Sequence, residues 1–477
     1  MNRLFFWLSL LAYRLFAVFF VISWFVPDEV YQSVEVAHKL VYGSGHISWE
    51  WEHSLRSYLH PLFIASILKP LQLLGLDSQV VVYQAPRIAH SILFSISDVY
   101  MFNLCVRLCH TRIIAKYAFF AYMSSWFVFY CSPRTLANSL ETVMTIIALH
   151  WYPFEGDNFK RPFWPYIALG VLTIVIRPTV ALLWLVFGLH HLYRTPHPIN
   201  LLFTVMLTVF LILSTTTFID SFTYNRPVFP MWNFLMFNVL EGGSASFGVH
   251  PWHWYLSQGL PAVLTIQLVP ILYGVAYGGF LRPTLLPLSA ASFYIVFHSL
   301  LPHKEHRFLL PIIPLVSIYT GVAFYKIPKR KVFIAITLLV NLVVVIFTSR
   351  FHQVGPLSAS YFVTGYGNNI SALMPCFSIP GHSFHHDQVN VIHQLDCSPN
   401  FVHPNAVDES DSFHQNPIAW LNANNPNYTR IVMYEKMYDK VSDWFKTRAY
   451  TPCARLFHSI FLTSSREDNF IVVLCKN

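Results

Sequence analysis

The sequence predicts a polytopic α-helical membrane protein that ends in a small α/β domain. Of its 477 residues, 55% are hydrophobic and only 11% are charged, whereas a soluble domain carries about 25% charged residues. Long apolar stretches recur from residue 4 to residue 349. The segment after them is richer in His, Asn, Pro and Asp and alternates short strand-like runs with loops. We therefore predict a transmembrane module over 1–349 and a separate C-terminal domain over 350–477.

A membrane-spanning helix needs about 20 mostly apolar residues, and about eleven stretches meet this requirement. They are 4–26, 88–109, 113–131, 136–153, 163–177, 178–193, 199–219, 260–279, 283–301, 308–326 and 331–349. The first stretch has no small-residue cleavage site, which favours a retained helix over a signal peptide. Residues 60–76 are shorter and contain Lys69 and Pro70, which favours an interfacial or re-entrant helix. Pro178 interrupts the stretch 163–193, so its number of crossings stays open.

Basic residues set the predicted orientation, because cytosolic loops of membrane proteins are enriched in Lys and Arg. With the N-terminus in the cytosol, alternate loops carry Arg107, Arg112, Lys116, Lys160, Arg161, Arg194, Arg282 and the basic run 326–331. The segments 27–87, 220–259 and 350–477 then lie on the opposite, lumenal face. The formal charge of +8 is spread over short clusters without a continuous stripe, so we predict no nucleic-acid partner.

The C-terminal segment carries two features of a lumenal or secreted domain. Asn369 and Asn427 each begin an N-glycosylation sequon. Four of the seven cysteines also lie in this segment: Cys376, Cys397, Cys453 and Cys475. An even number of cysteines is compatible with two disulfides in an oxidising compartment. The sequence leaves the pairing open.

Asp28 and Glu29 follow the first span directly, in the segment FVPDEVYQSVEVAH (25–38). Acidic residues after a proline commonly stabilise a helix N-terminus, because they complement the helix dipole. A carboxylate near a low-dielectric boundary can also have a shifted pKa and act as a general base on a substrate hydroxyl. From these residues alone, both interpretations stay open.

Two further segments on the predicted lumenal face combine aromatic rings with charged or polar groups. They are SWEWEHSLRSYLHP (48–61) and FGVHPWHWYLSQGLP (247–261). Such segments either form the aromatic belt at a membrane surface or bind a sugar, with rings against its faces and polar groups on its hydroxyls. The candidate sugar-binding residues are Trp49, Glu50, Trp51, Arg56, His60, His250, Trp252, His253 and Trp254.

Five ionisable side chains stand in a row between two apolar runs in HKEHRFLLPIIPL (303–315). Lys304 and Arg307 can anchor the chain by reaching to the interface. Anchoring explains neither the intervening Glu305 nor a cationic turn on the face that is normally poor in cations. A bound phosphate explains both, because Lys, Arg and His303 donate to its oxygens while Glu305 holds Arg307 in place. We therefore predict an anionic, lipid-linked ligand at this turn.

Several motifs of nucleotide and metal chemistry are absent from the sequence. It contains no P-loop, no Rossmann glycine fingerprint, no HExxH motif and no DxD acid pair. We therefore predict no metal and no nucleotide-driven reaction. A polyprenyl phosphate that carries its cargo in from the membrane fits the cationic turn better.

At these residues the chain resembles the dolichyl-phosphate-mannose-dependent mannosyltransferases of the endoplasmic reticulum, which have the GT-C fold. HKEHRF matches that family's HKE-x-RF signature, and PDE after the first span matches its other motif. Longer segments resemble the GT22-type branch that adds the third mannose of glycosylphosphatidylinositol (GPI) anchors: 27–61, 220–261, 375–386 and 416–421. Val249 and His306 depart from the family pattern, but neither removes a charged group.

The resemblance implies transfer of mannose from dolichyl-phosphate-mannose to the second mannose of a GPI precursor lipid, in an α-1,2 linkage, with inversion and without a cofactor. Asp28 is then the implied base, with Glu29 as its neighbour and substitute. The implied clamp on the leaving phosphate is His303, Lys304 and Arg307, oriented by Glu305. The active site and C-terminal domain are implied to lie in the lumen of the endoplasmic reticulum.

Two other functions stay open at this point. One is an α-mannosyltransferase of lipid-linked oligosaccharide (N-glycan) assembly that uses the same donor. The other is a lipid transporter or scramblase without enzymatic activity. The sequence shows no obvious inverted repeat and concentrates its polar residues on one face, whereas transporters commonly place them at the midplane of the membrane.

Overall fold

The computed structural model describes residues 3–109, 111–154, 162–278, 285–365, 369–399 and 407–476. The chain divides into two compact units. The first comprises Met1–Ala17, His53–His60 and Ile88–Val345, and the second comprises Val18–Glu52, Pro61–Arg87 and Ile346–Asn477. The C-terminal segment therefore shares its unit with two stretches near the N-terminus. Lys160, Arg161 and Arg282, which contribute to the predicted orientation, lie outside the described residues.

Helices make up most of the described chain. The α-helices are α1 Arg3–Phe20, α2 Glu35–Tyr42, α3 Trp49–Glu52, α4 Leu59–Leu73, α5 Gln79–Leu108, α6 Arg112–Met123, α7 Trp126–Cys131, α8 Ala137–Trp151, α9 Trp164–Ile176, α10 Ala181–Arg194, α11 Pro198–Tyr224, α12 Pro230–Leu235, α13 Leu260–Leu264, α14 Leu268–Gly278, α15 Leu285–Leu300, α16 Ile313–Lys326, α17 Arg330–Arg350, α18 Gly355–Val363, α19 His382–His385, α20 Glu409–Gln415, α21 Pro417–Asn424 and α22 Glu435–Lys446. Short π-helical segments are Val30–Val34, Met236–Leu240 and Tyr255–Gly259. The 3₁₀ segments are Pro178–Val180, Gly243–Phe247, Thr265–Gln267, His306–Ile312 and His386–Gln388.

Every predicted span coincides with a helical segment over the residues described. Six segments there are long and apolar enough to cross a membrane: Arg3–Phe20, Gln79–Leu108, Pro198–Tyr224, Tyr255–Tyr277, His306–Lys326 and Arg330–Val363. The number is lower than the sequence predicts because several stretches are broken into shorter helices. Pro178 separates α9 from α10, and a turn at Ser124 and Ser125 separates α6 from α7.

The first unit is built around α16, which packs against α6, α14 and α15. Every residue of α16 from Ile313 to Phe324 is buried. Gly321 lies against the backbone of α6, and Gly274 of α14 lies against the Tyr319 carbonyl, so a methyl group at either glycine would overlap the neighbouring helix. Small residues allow membrane helices to approach closely. These contacts fix the position of α16 within its unit.

Two buried charges inside predicted spans form an ion pair in the first unit. Arg14 of α1 donates through Nε to Asp98 Oδ2 and through Nη2 to Oδ1, both at 2.8 Å, and both side chains are fully buried. Charged side chains within a membrane are costly and usually pair with one another. The pair therefore ties α1 to α5.

The second unit contains a five-stranded mixed sheet. Its strands are β1 Asn369–Ala372, β2 Val391–Gln394, β3 Arg430–Tyr434, β4 Tyr450–Phe457 and β5 Phe470–Lys476, in the spatial order β2-β1-β3-β5-β4. β1 runs parallel to β2 and β3, whereas β5 runs antiparallel to β3 and β4. Side chains of α20, α21 and α22 pack into one apolar cluster with the strands, and those of α18 pack into another. The predicted α/β character is confirmed.

The cysteines and sequons of the C-terminal segment occupy defined places. The structure pairs Cys376 with Cys397, and Cys453 of β4 with Cys475 of β5. Asn427 is exposed in the loop before β3, whereas Asn369 is half-buried at the start of β1. Attachment of glycans at these asparagines stays a prediction.

Glu35 joins the C-terminal segment to the N-terminal part of the second unit. Its fully buried carboxylate accepts hydrogen bonds from the backbone N–H groups of His46 (3.0 Å), His382 (2.7 Å) and Ser383 (2.9 Å). Gly381 lies so close to this carboxylate that a Cβ atom there would overlap it. The two loops therefore meet on one anion, and glycine is required at their closest approach.

We expect Glu35→Ala to lower the thermal midpoint of the purified protein and to open the C-terminal segment to protease. The change leaves the buried Ser383 N–H and the partly buried His46 and His382 N–H groups without their acceptor. Because an unsatisfied buried group costs about 1–3 kcal/mol, the free energy of unfolding should fall by about that amount. Asp439→Asn, on the exposed face of α22, is the control. An unchanged midpoint and cleavage rate for Glu35→Ala would refute the role of this carboxylate.

Candidate active site

Asp28 and Glu29 lie in the second unit, in the turn that leads into the π-helical segment Val30–Val34. The Val30 N–H donates to the Pro27 carbonyl (2.9 Å) and closes this turn. Asp28 is half-buried and Glu29 is buried. π-helical segments are rare and occur frequently at functional sites. The candidate base therefore stands at an irregular helix start with a defined backbone.

Glu50 and Trp51 contact the same π-helical segment, and Trp49 is their neighbour in α3. Gln32 Nε2 donates to Glu50 Oε2 (2.9 Å), and Trp51 Nε1 donates to the Tyr31 carbonyl (3.2 Å). All three side chains are buried. The structure thus brings part of the second aromatic segment to the helix that carries the candidate base, in the interior of the unit.

Arg56 and His60 belong instead to the first unit, where their segment packs against the end of α11. Asp220 of α11 accepts a hydrogen bond from the Tyr58 N–H (2.7 Å), and the Tyr224 hydroxyl donates to the Arg56 carbonyl (2.8 Å). His60 is buried. The aromatic segment that the sequence treats as one cluster is therefore divided between the two units.

Glu305 organises the cationic turn of the first unit. Arg307 donates through Nε to Glu305 Oε2 (2.6 Å) and through Nη2 to Oε1 (2.5 Å), and His303 Nε2 lies 2.9 Å from Oε1. Burial opposes ionisation of the Glu305 carboxyl. The charge of Arg307 and the hydrogen bonds from His303 and Arg307 outweigh burial and hold the pKa of Glu305 well below its ordinary value. Glu305 is therefore a fixed anion that orients Arg307, which is the pairing the sequence predicts.

Lys304 lies inside the same turn and is only 3% exposed. Its Nζ donates to the backbone carbonyls of His250 (3.0 Å) and Leu301 (2.5 Å). Among the residues that the structure describes, no carboxylate lies within ion-pair distance of this ammonium group. Burial lowers the pKa of Lys304, because the charged form loses its hydration. A bound anion would supply the charge that the protein does not.

Part of the third aromatic segment lies against this turn. The His250 ring stacks on Trp254, with centroids 5.0 Å apart and an interplanar angle of 30°, and Trp254 also contacts the His306 ring at 4.8 Å. Trp254 is buried, whereas Trp252 and His253 are exposed. The structure therefore brings two of the four candidate residues of this segment to the cationic turn and leaves two at the surface.

Arg177 and Glu141, which are not among the residues predicted from the sequence, lie beside the cationic turn. Arg177 Cζ lies 5.1 Å from the centroid of the Phe308 ring, and Arg307 Cζ lies 5.5 Å from the same centroid. Arg177 Nε is 3.1 Å from Glu141 Oε2, and both side chains are buried. Ionisable residues within predicted spans mark functional sites by default, and this signal was available in the sequence. The cationic site thus contains two arginines, each with its own carboxylate.

A model of the Alg9-like mannosyltransferase family matches residues 5–386 of the chain. The chain belongs to this family. It is 34% identical to GPI alpha-1,2-mannosyltransferase 3 of Homo sapiens, over 94% of the chain and 83% of the human protein. It is 32% identical to the Xenopus laevis protein of the same name, over 98% of the chain and 90% of that protein. Mannosyltransferase APTG1 of Arabidopsis thaliana is 31% identical over 98% of the chain and 91% of its own length.

Among solved structures, the chain of this Alg9-like mannosyltransferase is similar to ArnT from Cupriavidus metallidurans bound to undecaprenyl phosphate. The TM-score is 0.65, with 13% sequence identity over 99% of this chain and 97% of that one. The likeness shows the fold, which is GT-C. The Alg9-like protein is therefore a multi-pass membrane glycosyltransferase, as the sequence predicts.

We expect Arg307→Lys to slow mannosyl transfer by about 10- to 100-fold, because lysine cannot make the bidentate bond to Glu305. Hydrogen bonds between charged groups contribute about 1.5–3 kcal/mol, which corresponds to this range. The rate would be measured on membranes with matched amounts of protein. Arg112→Lys, at the exposed start of α6, should leave the rate unchanged. Equal rates for both variants would show that the fork of Arg307 has no role in catalysis.

Proposed function

We propose that this mannosyltransferase transfers mannose from dolichyl-phosphate-mannose to the second mannose of a GPI precursor lipid, in an α-1,2 linkage. Two of the relatives named GPI alpha-1,2-mannosyltransferase 3 align with 94% and 98% of the chain, which supports the acceptor. The donor is supported by one structural observation above all. It is the buried Lys304 ammonium group, whose hydrogen-bond partners in the described structure are backbone carbonyls.

The proposed donor carries one negative charge on its phosphodiester, and a second develops as the bond from mannose C1 to the phosphate oxygen breaks. Lys304 and Arg307 are the proposed contacts of this leaving phosphate, with His303 beside them. Positive groups that are already oriented stabilise developing charge most effectively in a site shielded from water. Glu305 holds Arg307 and Glu141 holds Arg177, so both guanidinium groups are oriented before the substrate binds.

Asp28 is the proposed general base. It accepts the proton from the acceptor hydroxyl while the hydroxyl oxygen bonds to mannose C1 and the phosphate departs. The donor is β-linked and the product α-linked, so this single displacement inverts the configuration. Glu29 is the neighbouring carboxylate and the proposed substitute. Sugar contacts are assigned to the two aromatic segments, 48–61 and 247–261.

The proposed location is the membrane of the endoplasmic reticulum, with the N-terminus in the cytosol and both the active site and the C-terminal domain in the lumen. Two disulfide pairs and an exposed sequon asparagine in the C-terminal segment support a lumenal domain. The membrane delivers the lipid-linked donor and the acceptor to the same surface of the enzyme.

We expect Asp28→Asn to reduce transfer at least about 100-fold, because general-base catalysis contributes roughly that much or more, while expression stays normal. The assay combines labelled dolichyl-phosphate-mannose, a synthetic two-mannose GPI acceptor and membranes that contain the protein. Asp439→Asn is the matched control. Near-normal activity of Asp28→Asn would remove Asp28 from the mechanism.

The same assay separates the proposed acceptor from the alternatives. Transfer to lipid-linked oligosaccharide but not to the GPI acceptor would indicate the N-glycan pathway. Movement of dolichol lipids across vesicles with no mannose transfer to either acceptor would indicate a transporter or scramblase.

Because the protein itself supplies the proposed positive charges, we expect transfer to continue at an unchanged rate in excess EDTA. The measurement is the initial rate with and without chelator, with and without added Mg²⁺ or Mn²⁺. Loss of activity that a divalent ion restores would contradict the metal-free mechanism.

A further inference from the structure

The loop between β4 and β5 presents three consecutive large apolar side chains. Ile460 is 53% exposed, Phe461 is 66% exposed and Leu462 is 43% exposed. A run of exposed apolar residues outside the membrane spans usually marks an interaction site, because contact between apolar side chains and water is unfavourable. We refer to Ile460–Leu462 as the apolar tip.

Hydrogen bonds fix the backbone of the apolar tip. Asn469 Nδ2 donates to the carbonyls of Ser459 (2.7 Å) and Ile460 (3.3 Å), and the Ser459 hydroxyl donates to the Phe461 carbonyl (2.7 Å). On the far side of the tip, the Thr463 hydroxyl donates to Glu467 Oε1 (2.6 Å). The apolar side chains are therefore held outward by an ordered loop.

The apolar tip lies beside the end of a membrane span, within the second unit. The Phe461 ring contacts Phe347, with centroids 5.7 Å apart, and Ser459 Oγ lies 2.9 Å from His352 Nδ1. Phe347 belongs to the last turn of α17, in the Arg330–Val363 segment, which has the highest hydropathy among the six candidate spans. Phe347 precedes the helix end at Arg350 by three residues, or about 4.5 Å along the helix axis. Phe461 therefore contacts the last turn of a candidate membrane span.

A second span ends at the same level. The guanidinium carbon of Arg350 lies 4.8 Å from the centroid of Phe20, the last residue of α1. Just beyond α1, the Ile22 N–H donates to the Ser349 carbonyl (3.3 Å). Arginine and aromatic residues at the ends of spans are typical of the membrane–water interface. Two helix ends thus mark the membrane surface at the height of Arg350, on the aqueous side of Phe347.

We propose that Ile460, Phe461 and Leu462 insert into the lipid bilayer beside α17 and hold the C-terminal sheet against the membrane surface. The ligand is the boundary between lipid headgroups and acyl chains, because the tip contacts the end of the candidate span with the highest hydropathy. Burial of such side chains in this boundary is favourable. This anchor is independent of the proposed mannosyl transfer. It gives the C-terminal domain a membrane contact of its own, in addition to its covalent connection to α17 and its contacts with the N-terminal part of the second unit.

The test uses the full-length protein in phosphatidylcholine nanodiscs, with a nitroxide spin label on Phe461→Cys. Collision of the label with oxygen, which enters the bilayer, is compared with collision with nickel-EDDA, which stays in water. Ile418→Cys on α21 is the matched control, because Ile418 is a 40% exposed apolar residue of the same domain. The parent protein, treated identically, gives the background from Cys105, Cys109 and Cys131, which the structure does not place in a disulfide.

We expect the label at 461 to collide with nickel-EDDA several-fold less often than the label at 418, and with oxygen more often. Leu462→Cys should behave like Phe461→Cys, so failure of one variant to fold does not prevent the test. Water-like collision rates at both positions would overturn the proposal. Protection of both positions from oxygen as well as from nickel-EDDA would also overturn it, because it would indicate a protein partner in place of lipid.

Discussion

The architecture of the second unit depends on the carboxylate of Glu35. A buried charge is stable only when polar groups replace its lost hydration. For Glu35, the backbone N–H groups of His46, His382 and Ser383 provide these hydrogen bonds, and they come from two loops. These loops lie more than three hundred residues apart along the chain. One anion thereby makes the N-terminal helix bearing the PDE motif and the C-terminal sheet parts of a single folded unit. The position of the candidate base consequently depends on a segment that carries no obvious catalytic residue.

In the first unit, the cationic site consists of the turn 303–307 together with Arg177 and Glu141, and its positive groups differ in whether a carboxylate neutralises them. The two arginines described at this site have carboxylate partners: Arg177 with Glu141 and Arg307 with Glu305. Each pair orients its guanidinium group and limits the cost of burying it. Lys304 is different, because its described partners are carbonyl dipoles that carry no net charge. The positive charge of Lys304 is therefore not matched by a carboxylate in the described structure, and the proposed donor phosphate would supply the missing negative charge.

Features that depend on local sequence pattern, such as helices, strands and pairs of neighbouring residues, could be predicted from the sequence. Features that depend on contacts between distant residues could not. Hydropathy located the helices, and the runs RIVMYE and FIVVLCK coincide with β3 and β5. The pairing of Glu305 with Arg307 was predictable because the two residues are neighbours. The position of Arg177 beside Arg307 was not predictable, because nothing in the local sequence shows that both contact Phe308. The division of segment 48–61 between two units was equally hidden, because one continuous stretch gives no sign of its separate packing partners.

The close glycine contacts of α16 have a mechanical consequence. Gly321 and Gly274 let α16 contact α6 and α14 at backbone distance, and α16 follows the cationic turn directly through the 3₁₀ segment His306–Ile312. The turn therefore precedes a helix that is tightly packed on two sides, and we expect the turn to keep its position when a ligand binds. We therefore expect the proposed lipid-linked donor to move to the turn, and any movement that admits it to occur in elements other than α16.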